Sequence, residues 1–309
     1  MMNSKLFTMA LVATVGMMTA CSSDDDNATP QKQERRISVE VSERPIHSED
    51  AKTRAPISTI ETLMTSADGF MMDGIYESVS QCYAIKYESN SWKIIPNSWL
   101  NDDIVLNNTE VNFYAYTAGE FSKAGEPHIT FSIPENASTQ HDLLVATNTA
   151  SYNNEDGKPG RVSLTFDHAC AAIAFNVRIT EKVQTKYGIN SLTVNKIYLR
   201  NVFNSRKYNF NIGWGDQFLK DDNGKETQSY YTLVNSDISV TTTAQDLSCN
   251  YIFVIPQSRP ADGTDGMYLD VEYTFAGQTQ THAFIPMTVN WEAGTAYTIN
   301  INLGTSNIK

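Results

Sequence analysis

The chain has 309 residues, room for roughly two domains of about 150 residues each, so its folding needs no disulfide scaffold. Hydrophobic residues make up 41% and charged residues 19%, a globular balance, and 15 Tyr with 13 Phe favour strands over helical bundles or coiled coils. A net charge of -12 repels a phosphate backbone, which excludes nucleic acid as the expected partner.

Lys5 is followed by an apolar run, Leu6 to Met18, too short and too closely followed by charge for a membrane span but suited to a signal peptide occupying residues 1–20. The run ends in Met18-Thr19-Ala20-Cys21, which resembles a bacterial lipobox whose cysteine is lipidated and becomes the new N-terminus. An ordinary secretory cleavage site with a chance cysteine is the alternative. Ser22-Ser23-Asp24-Asp25-Asp26 and the polar residues that follow make 21–36 a flexible tether. Two or more acyl chains on Cys21, each methylene contributing about 0.8 kcal/mol, would hold the protein on a membrane without spanning it. The acidic run after Cys21 resembles the surface-export signal of some Gram-negative anaerobes, with a solvated linker as its other reading, so the expected location is the outer membrane, lipid-anchored and surface-exposed, with a periplasm-facing position as the alternative. The tether is not basic, which excludes electrostatic attachment to anionic lipid.

From Ile37 the chain reads as short strands between polar turns, the pattern of antiparallel sandwiches. Ile37–Val41, Val111–Tyr116, Ile129–Ile133 and Val162–Phe166 alternate apolar and polar residues with period two, so one face packs and the other meets water or a partner. Further strands are expected at Ile173–Ile179, Leu192–Leu199, Tyr208–Ile212, Tyr251–Ile255, Tyr268–Phe275, His282–Ile285 and Tyr297–Leu303, with one short helix over Glu181–Lys186. The run Ser151 to Gly160 collects turn formers and charges, and it places a boundary between an N-terminal β-sandwich, 37–156, and a C-terminal one, 157–309. No fixed-period repeat points to a propeller or solenoid.

Chemistry-bearing patterns are sparse. Cys82, Cys170 and Cys249 remain after Cys21, with no C-x-x-C spacing, and Cys170 in its alanine-rich setting reads as a buried thiol, with a bridge to Cys249 as the alternative. The five histidines show no H-E-x-x-H or i, i+4 pair, so no metal site or cofactor is expected. Asp167-His168 lacks a G-x-S-x-G partner, although a pair of carboxylates close in space cannot be read from sequence. Trp92, Trp99, Trp214 and Trp291 each sit beside a strand and read as packing residues, with sugar stacking as the other role open to them.

Several segments, weak singly, form an ordered set: the lipobox at Cys21; Lys52-Thr53-Arg54-Ala55-Pro56-Ile57 after a first strand; Trp92 to Trp99 leading into Val111–Tyr116; Asp142-Leu143-Leu144-Val145-Ala146; Val162 to Ala169; and Trp291 to Ile299. By their order and spacing the chain resembles the fimbrillin family, lipoprotein pilus subunits of the type V kind made by gut and oral anaerobes, over nearly the whole mature length. The resemblance implies two tandem transthyretin-like antiparallel β-sandwich domains and no enzymatic activity. It also implies cleavage by an arginine-specific protease after an arginine following the first strand, here between Arg54 and Ala55. Arg35, Arg36 and Arg44 are competing sites. Removing the strand that carries Ile37, Val39 and Val41 leaves unpaired backbone groups and an apolar groove, a template for a strand from another pilus subunit. The implied function is a structural or adhesive subunit of a surface fimbria, with a host glycan or protein as ligand. A surface glycan-binding lipoprotein of a polysaccharide-uptake system is the alternative. Many polymerising members carry an extra segment beyond the last strand, whereas Gly304 to Lys309 is too short for a further strand of about five to six residues, which implies a tip or terminal subunit.

Overall fold

The computed structural model describes residues 38–48, 64, 69–76, 79–95, 110–150, 161–218, 228–246, 251–259, 266–275 and 278–308. They fall within one compact unit, Arg35–Lys309. In chain order the N-terminal strands are β1 Ser38–Glu43, β2 His47–Ser48, β3 Phe70–Tyr76, β4 Val79–Glu88, β5 Ser91–Ile95, β6 Val111–Tyr116, β7 Glu120–Ser122, β8 His128–Ser132, β9 Leu144–Ala150 and β10 Arg161–His168. There follow β11 Ala171–Ile179, helix α1 Glu181–Tyr187, β12 Leu192–Phe203, β13 Ser205–Asn209, β14 Gly213–Phe218, β15 Gln228–Val240 and β16 Gln245–Asp246. The last strands are β17 Ile252–Val254, β18 Gln257–Arg259, β19 Met267–Phe275, β20 Gln278–Met287, β21 Val289–Trp291 and β22 Thr295–Leu303. Among the described residues the fold is all-β, with α1 as its one α-helix described from end to end and a 3-10 turn at Ala137–Thr139.

A first sheet closes on itself in the order β1-β10-β9-β6-β3-β4-β5. Its strands form because period-two alternation gives each an apolar inner face: Val111, Phe113 and Ala115 on β6, and Val162, Leu164 and Phe166 on β10, are buried while their neighbours face outward. The rings of Phe70, Phe166 and Trp92 meet inside at centroid distances of 5.1 and 5.2 Å, the first pair edge-on. Between β4 and β5, Ser89 and Asn90 both take positive φ, the conformation that two-residue hairpin loops need to match strand twist.

The second core is built on β11, which pairs with β22, β16 and β17, and on the sheet β15-β12-β19-β20. Phe175, Val177, Ile197, Leu199, Val271 and Tyr273 fill it. Smaller sheets, β14-β13-β8-β7 and β18-β21, complete the layers.

Three expectations are corrected. The boundary at 156/157 does not separate the two cores: β10 lies beyond it yet closes the first barrel, and Ile129 and Phe131 of β8 lie before it yet join the second core. The turn-rich run marks a connection, and packing, which is blind to chain position, assigns the flanking strands. The sheets are also mixed, not purely antiparallel, because β1–β10, β11–β22 and β2–β22 are parallel. Parallel pairs need long connections, which strands far apart along the chain supply. Finally, the strand expected at Tyr208–Ile212 is Ser205–Asn209, since Asn209 Oδ1 accepts the backbone N–H of Asn211 at 2.8 Å and turns the chain. Among the described residues no helix is long and apolar enough to cross a membrane.

Candidate functional site: the seat of the first strand

β1 comes from the start of the described chain but fills an interior place in the barrel. It runs parallel to β10 from Ser38↔Arg161 to Glu43↔Phe166, and its other edge meets β5 at Val39↔Trp92. Val39 is buried, and Val41 is half-buried against the same core. The backbone continues the pairing beyond the strand, with Arg44 N–H donating to Phe166 C=O at 2.9 Å. Outward side chains add lateral ties. Arg44 Nη1 lies 2.7 Å from both oxygens of Asp167, Arg161 pairs with Glu40, and Ser42 Oγ lies 3.0 Å from Thr165 Oγ1. These ion pairs are exposed, 67% and 48% at Arg44 and Asp167, so they contribute little individually.

The same segment crosses to the second core. Ile46 is buried against Ala172 and Ala296, His47 N–H donates to Gly294 C=O at 2.9 Å, and β2 extends the β11–β22 sheet at its edge.

Beneath the end of β1 lies a buried polar cluster. Period two makes Val39, Val41 and Glu43 the inward positions of β1, and Val162, Leu164, Phe166 and His168 those of β10, so each strand ends with a titratable side chain on its core face. His168 Nδ1 bonds Asp142 Oδ2, and His168 Nε2 lies 2.7 Å from Glu43 Oε1 in an ion-pair contact. The side chains of His168, Asp142 and Glu43 are 1%, 0% and 9% exposed.

Burial works to lower the pKa of His168, but the Asp142 hydrogen bond and the charges of Asp142 and Glu43 outweigh it and hold the imidazole above its ordinary range. Burial raises Asp142, partly offset by His168, and burial with the adjacent Asp142 pushes the Cys170 thiol far up. A neutral imidazole has one N–H and would turn a lone pair toward one of the carboxylates, so the geometry favours the imidazolium. Asp142 and Glu43 sit on opposite ring nitrogens and do not converge on one point, which suits an ion-paired junction and not a metal site or an accessible acid–base pair. Nearby, Ala169 passes the chain from β10 to β11, and Trp214 Nε1 donates to its carbonyl at 2.5 Å.

Of the residues singled out from sequence, Val39 and Val41 lie in the barrel groove. Ile37, Cys21, Arg54, Ala55, Trp99 and Cys249 lie outside the described residues. Asp167 pairs with Arg44, and the partners of His168 are Asp142 and Glu43. Trp92 packs on Phe70 and Tyr87, Trp214 on Tyr208, and Trp291 is buried, so these indoles serve packing. Cys170 is a free buried thiol, and Cys82 is free with its pKa pushed up to about 12 by burial and by Asp73. The convergence on His168 escaped sequence reading, although a charge at an inward position of two strands was the visible signal.

The model of a family described as fimbrillin-like matches residues 53–309. No curated protein shows significant sequence similarity to the chain. Among solved structures, a fimbrial protein from Bacteroides vulgatus aligns with 88% of this chain and 96% of its own, at 16% identity and a TM-score of 0.53. A candidate cell adhesion protein from Bacteroides ovatus aligns over 86% and 91% at 14% identity, TM-score 0.51, and one from Parabacteroides distasonis over 89% and 90% at 11% identity, TM-score 0.52. At these identities the structural likeness concerns the fold alone.

Proposed function

Because this chain belongs to the fimbrillin-like family, we propose that it is a non-enzymatic structural or adhesive subunit of a cell-surface pilus, assembled by replacing its first strand with one from another subunit. The observation that carries the reading is the place of β1: a strand ahead of Arg54 in sequence lies between β10 and β5, so losing it would leave a groove lined by apolar side chains and open backbone groups on β10. β2 belongs to the same stretch, so one cut would also bare the edge of β22. In this reading residues 1–20 direct export, acyl chains on Cys21 anchor the chain at the outer membrane, and an arginine-specific protease cuts between Arg54 and Ala55. Arg44 is disfavoured as the cut site by its pairing to Asp167, by the hydrogen bond of its backbone to β10, and by Pro45 behind it. Two tandem domains of the transthyretin-like kind complete the proposal.

The test is limited trypsin digestion of the folded protein. A new N-terminus at Ala55 with both cores intact is expected, followed by release of the segment carrying β1. First cuts within either core, with Arg54 resistant, would sink the strand-removal step.

One observation favours glycan binding as a second reading. On the outer face of β19 and β20, Phe284 is 57% exposed, with Tyr268 edge-on at 5.6 Å and His282 stacked at 6.0 Å. Asp270 fixes that surface by accepting from Arg200 Nε at 2.7 Å and bonding His282 Nδ1 at 2.8 Å. Aromatic faces of this kind stack on sugar rings. Retardation on glycan affinity gels that Phe284→Ala abolishes would favour this reading, and unretarded passage of the wild type would count against it.

A further inference from the structure

The cluster under β1 holds the last inward side chain of that strand. Glu43 is the charged member of the inward set Val39, Val41, Glu43, and it enters the protein interior because His168 is already there. His168 is held from behind by Asp142, whose side chain is fully buried and whose Oδ1 has no hydrogen-bond partner. Asp142 therefore cannot turn away to water. The Cys170 thiol lies against Asp142, and the neighbouring Arg44 and Asp167 are engaged with each other outside. If β1 leaves, His168 and Asp142 stay behind on the barrel, and Nε2 points into the vacated groove.

Resting on the reading that another strand takes the place of β1, we propose that His168, backed by Asp142, is a carboxylate-selective socket: the incoming strand must carry Asp or Glu where Glu43 now lies. The register fixes the rest of the requirement. Apolar side chains must fall at the places of Val39 and Val41, opposite Val162 and Leu164, with the acid two residues after the second, opposite Phe166. A neutral amide gives up the ionic contact at Nε2 and leaves Asp142 as the only charge facing the imidazolium, and a lysine places a second cation against Nε2. The chain's own β22 does not meet the rule, since Ile299, Ile301 and Leu303 are followed at the next such place by Thr305. The occupant is therefore a strand of a different subunit and not the β22 of a second copy.

The experiment starts from the full chain, cut by trypsin after Arg54 and freed of its N-terminal piece. Fluorescent peptides with the sequence of residues 37–48, unchanged or carrying Glu43→Gln or Glu43→Lys, are titrated at about pH 6, where His168 is charged. The unchanged peptide should bind, the Gln peptide about tenfold more weakly and the Lys peptide more weakly again. In the His168→Gln protein the Glu peptide should lose its advantage, the Gln peptide binding as well or better. Equal binding of Glu and Gln peptides to the wild type overturns the socket and leaves strand replacement standing. Failure of every peptide to bind overturns strand replacement and the socket with it. A second readout needs no cleavage: in the intact chain Glu43→Gln should lower the pKa of the His168 imidazole followed by NMR, and an unmoved titration overturns the contact on which the socket depends.

Discussion

His168 shows how one residue sets a pH dependence. Its folded pKa is raised, so its contribution to stability is complete below the unfolded value of about 6.5 and is lost as pH rises through the folded value. Asp142, also raised, contributes in the same direction at lower pH, because the folded state again holds its proton more tightly. Thermal stability should therefore fall from about pH 6 upward until the folded pKa is passed, and His168→Gln should flatten that slope. Parallel slopes for the two proteins would refute the assignment. His168→Ala removes the cation between two buried carboxylates, and by denaturant titration it should cost about 3–5 kcal/mol.

Elements begin and end where backbone conformation permits, and two glycines separate the reasons. Gly188 ends α1 at φ +66, donating its N–H to Gln184 C=O at 2.9 Å, and a Cβ there would meet nothing within 4 Å. Gly69 opens β3 at φ +62, where a Cβ would fall 1.9 Å from the carbonyl oxygen of Ile85 on β4. Gly188→Ala should cost only the left-handed penalty of about 1 kcal/mol. Gly69→Ala must push β3 off β4 and should cost several times as much. Similar losses at both sites, measured by chemical unfolding, would contradict the close approach of the two strands.

For the whole molecule the question is which strands can leave. β1 is bound mainly through one edge and β2 leaves with it, whereas β22 stays paired with β11 from Ala172↔Ala296 to Ile179↔Leu303, with Ile301 and Leu303 buried in the second core. The tail beyond β22 turns at Gly304 and buries Ile308, whose carbonyl accepts from Tyr187 Oη at 3.1 Å. Ile308→Ala should therefore destabilise the second core by about 2–5 kcal/mol. By the same argument, the Arg-cleaved protein alone should stay monomeric or dimeric in electron micrographs. Long homopolymers would mean that β22 swings out after all.

The sequence by itself determined what depends on neighbours along the chain. The strands at Val111–Tyr116 and around Val162–Phe166, and the short helix after Ile179, follow from period-two alternation and local turn chemistry. The ordered segments carried the family in the same way. Strands such as β3 and β4 were less legible, because Phe70 to Tyr76 includes Asp73 and Gly74 and has no clean alternation. Only the tertiary structure decided that β10 closes the first barrel across the expected boundary, that Asp142 and Glu43 meet at His168, and that Trp214 and Trp291 face packing partners. The physical reason is that periodicity states which side of a strand is buried, whereas the identity of the partner depends on which distant strands bury their faces together. For an inward-facing charge that partner decides everything, since Glu43 is tolerated in the barrel only where His168 is waiting.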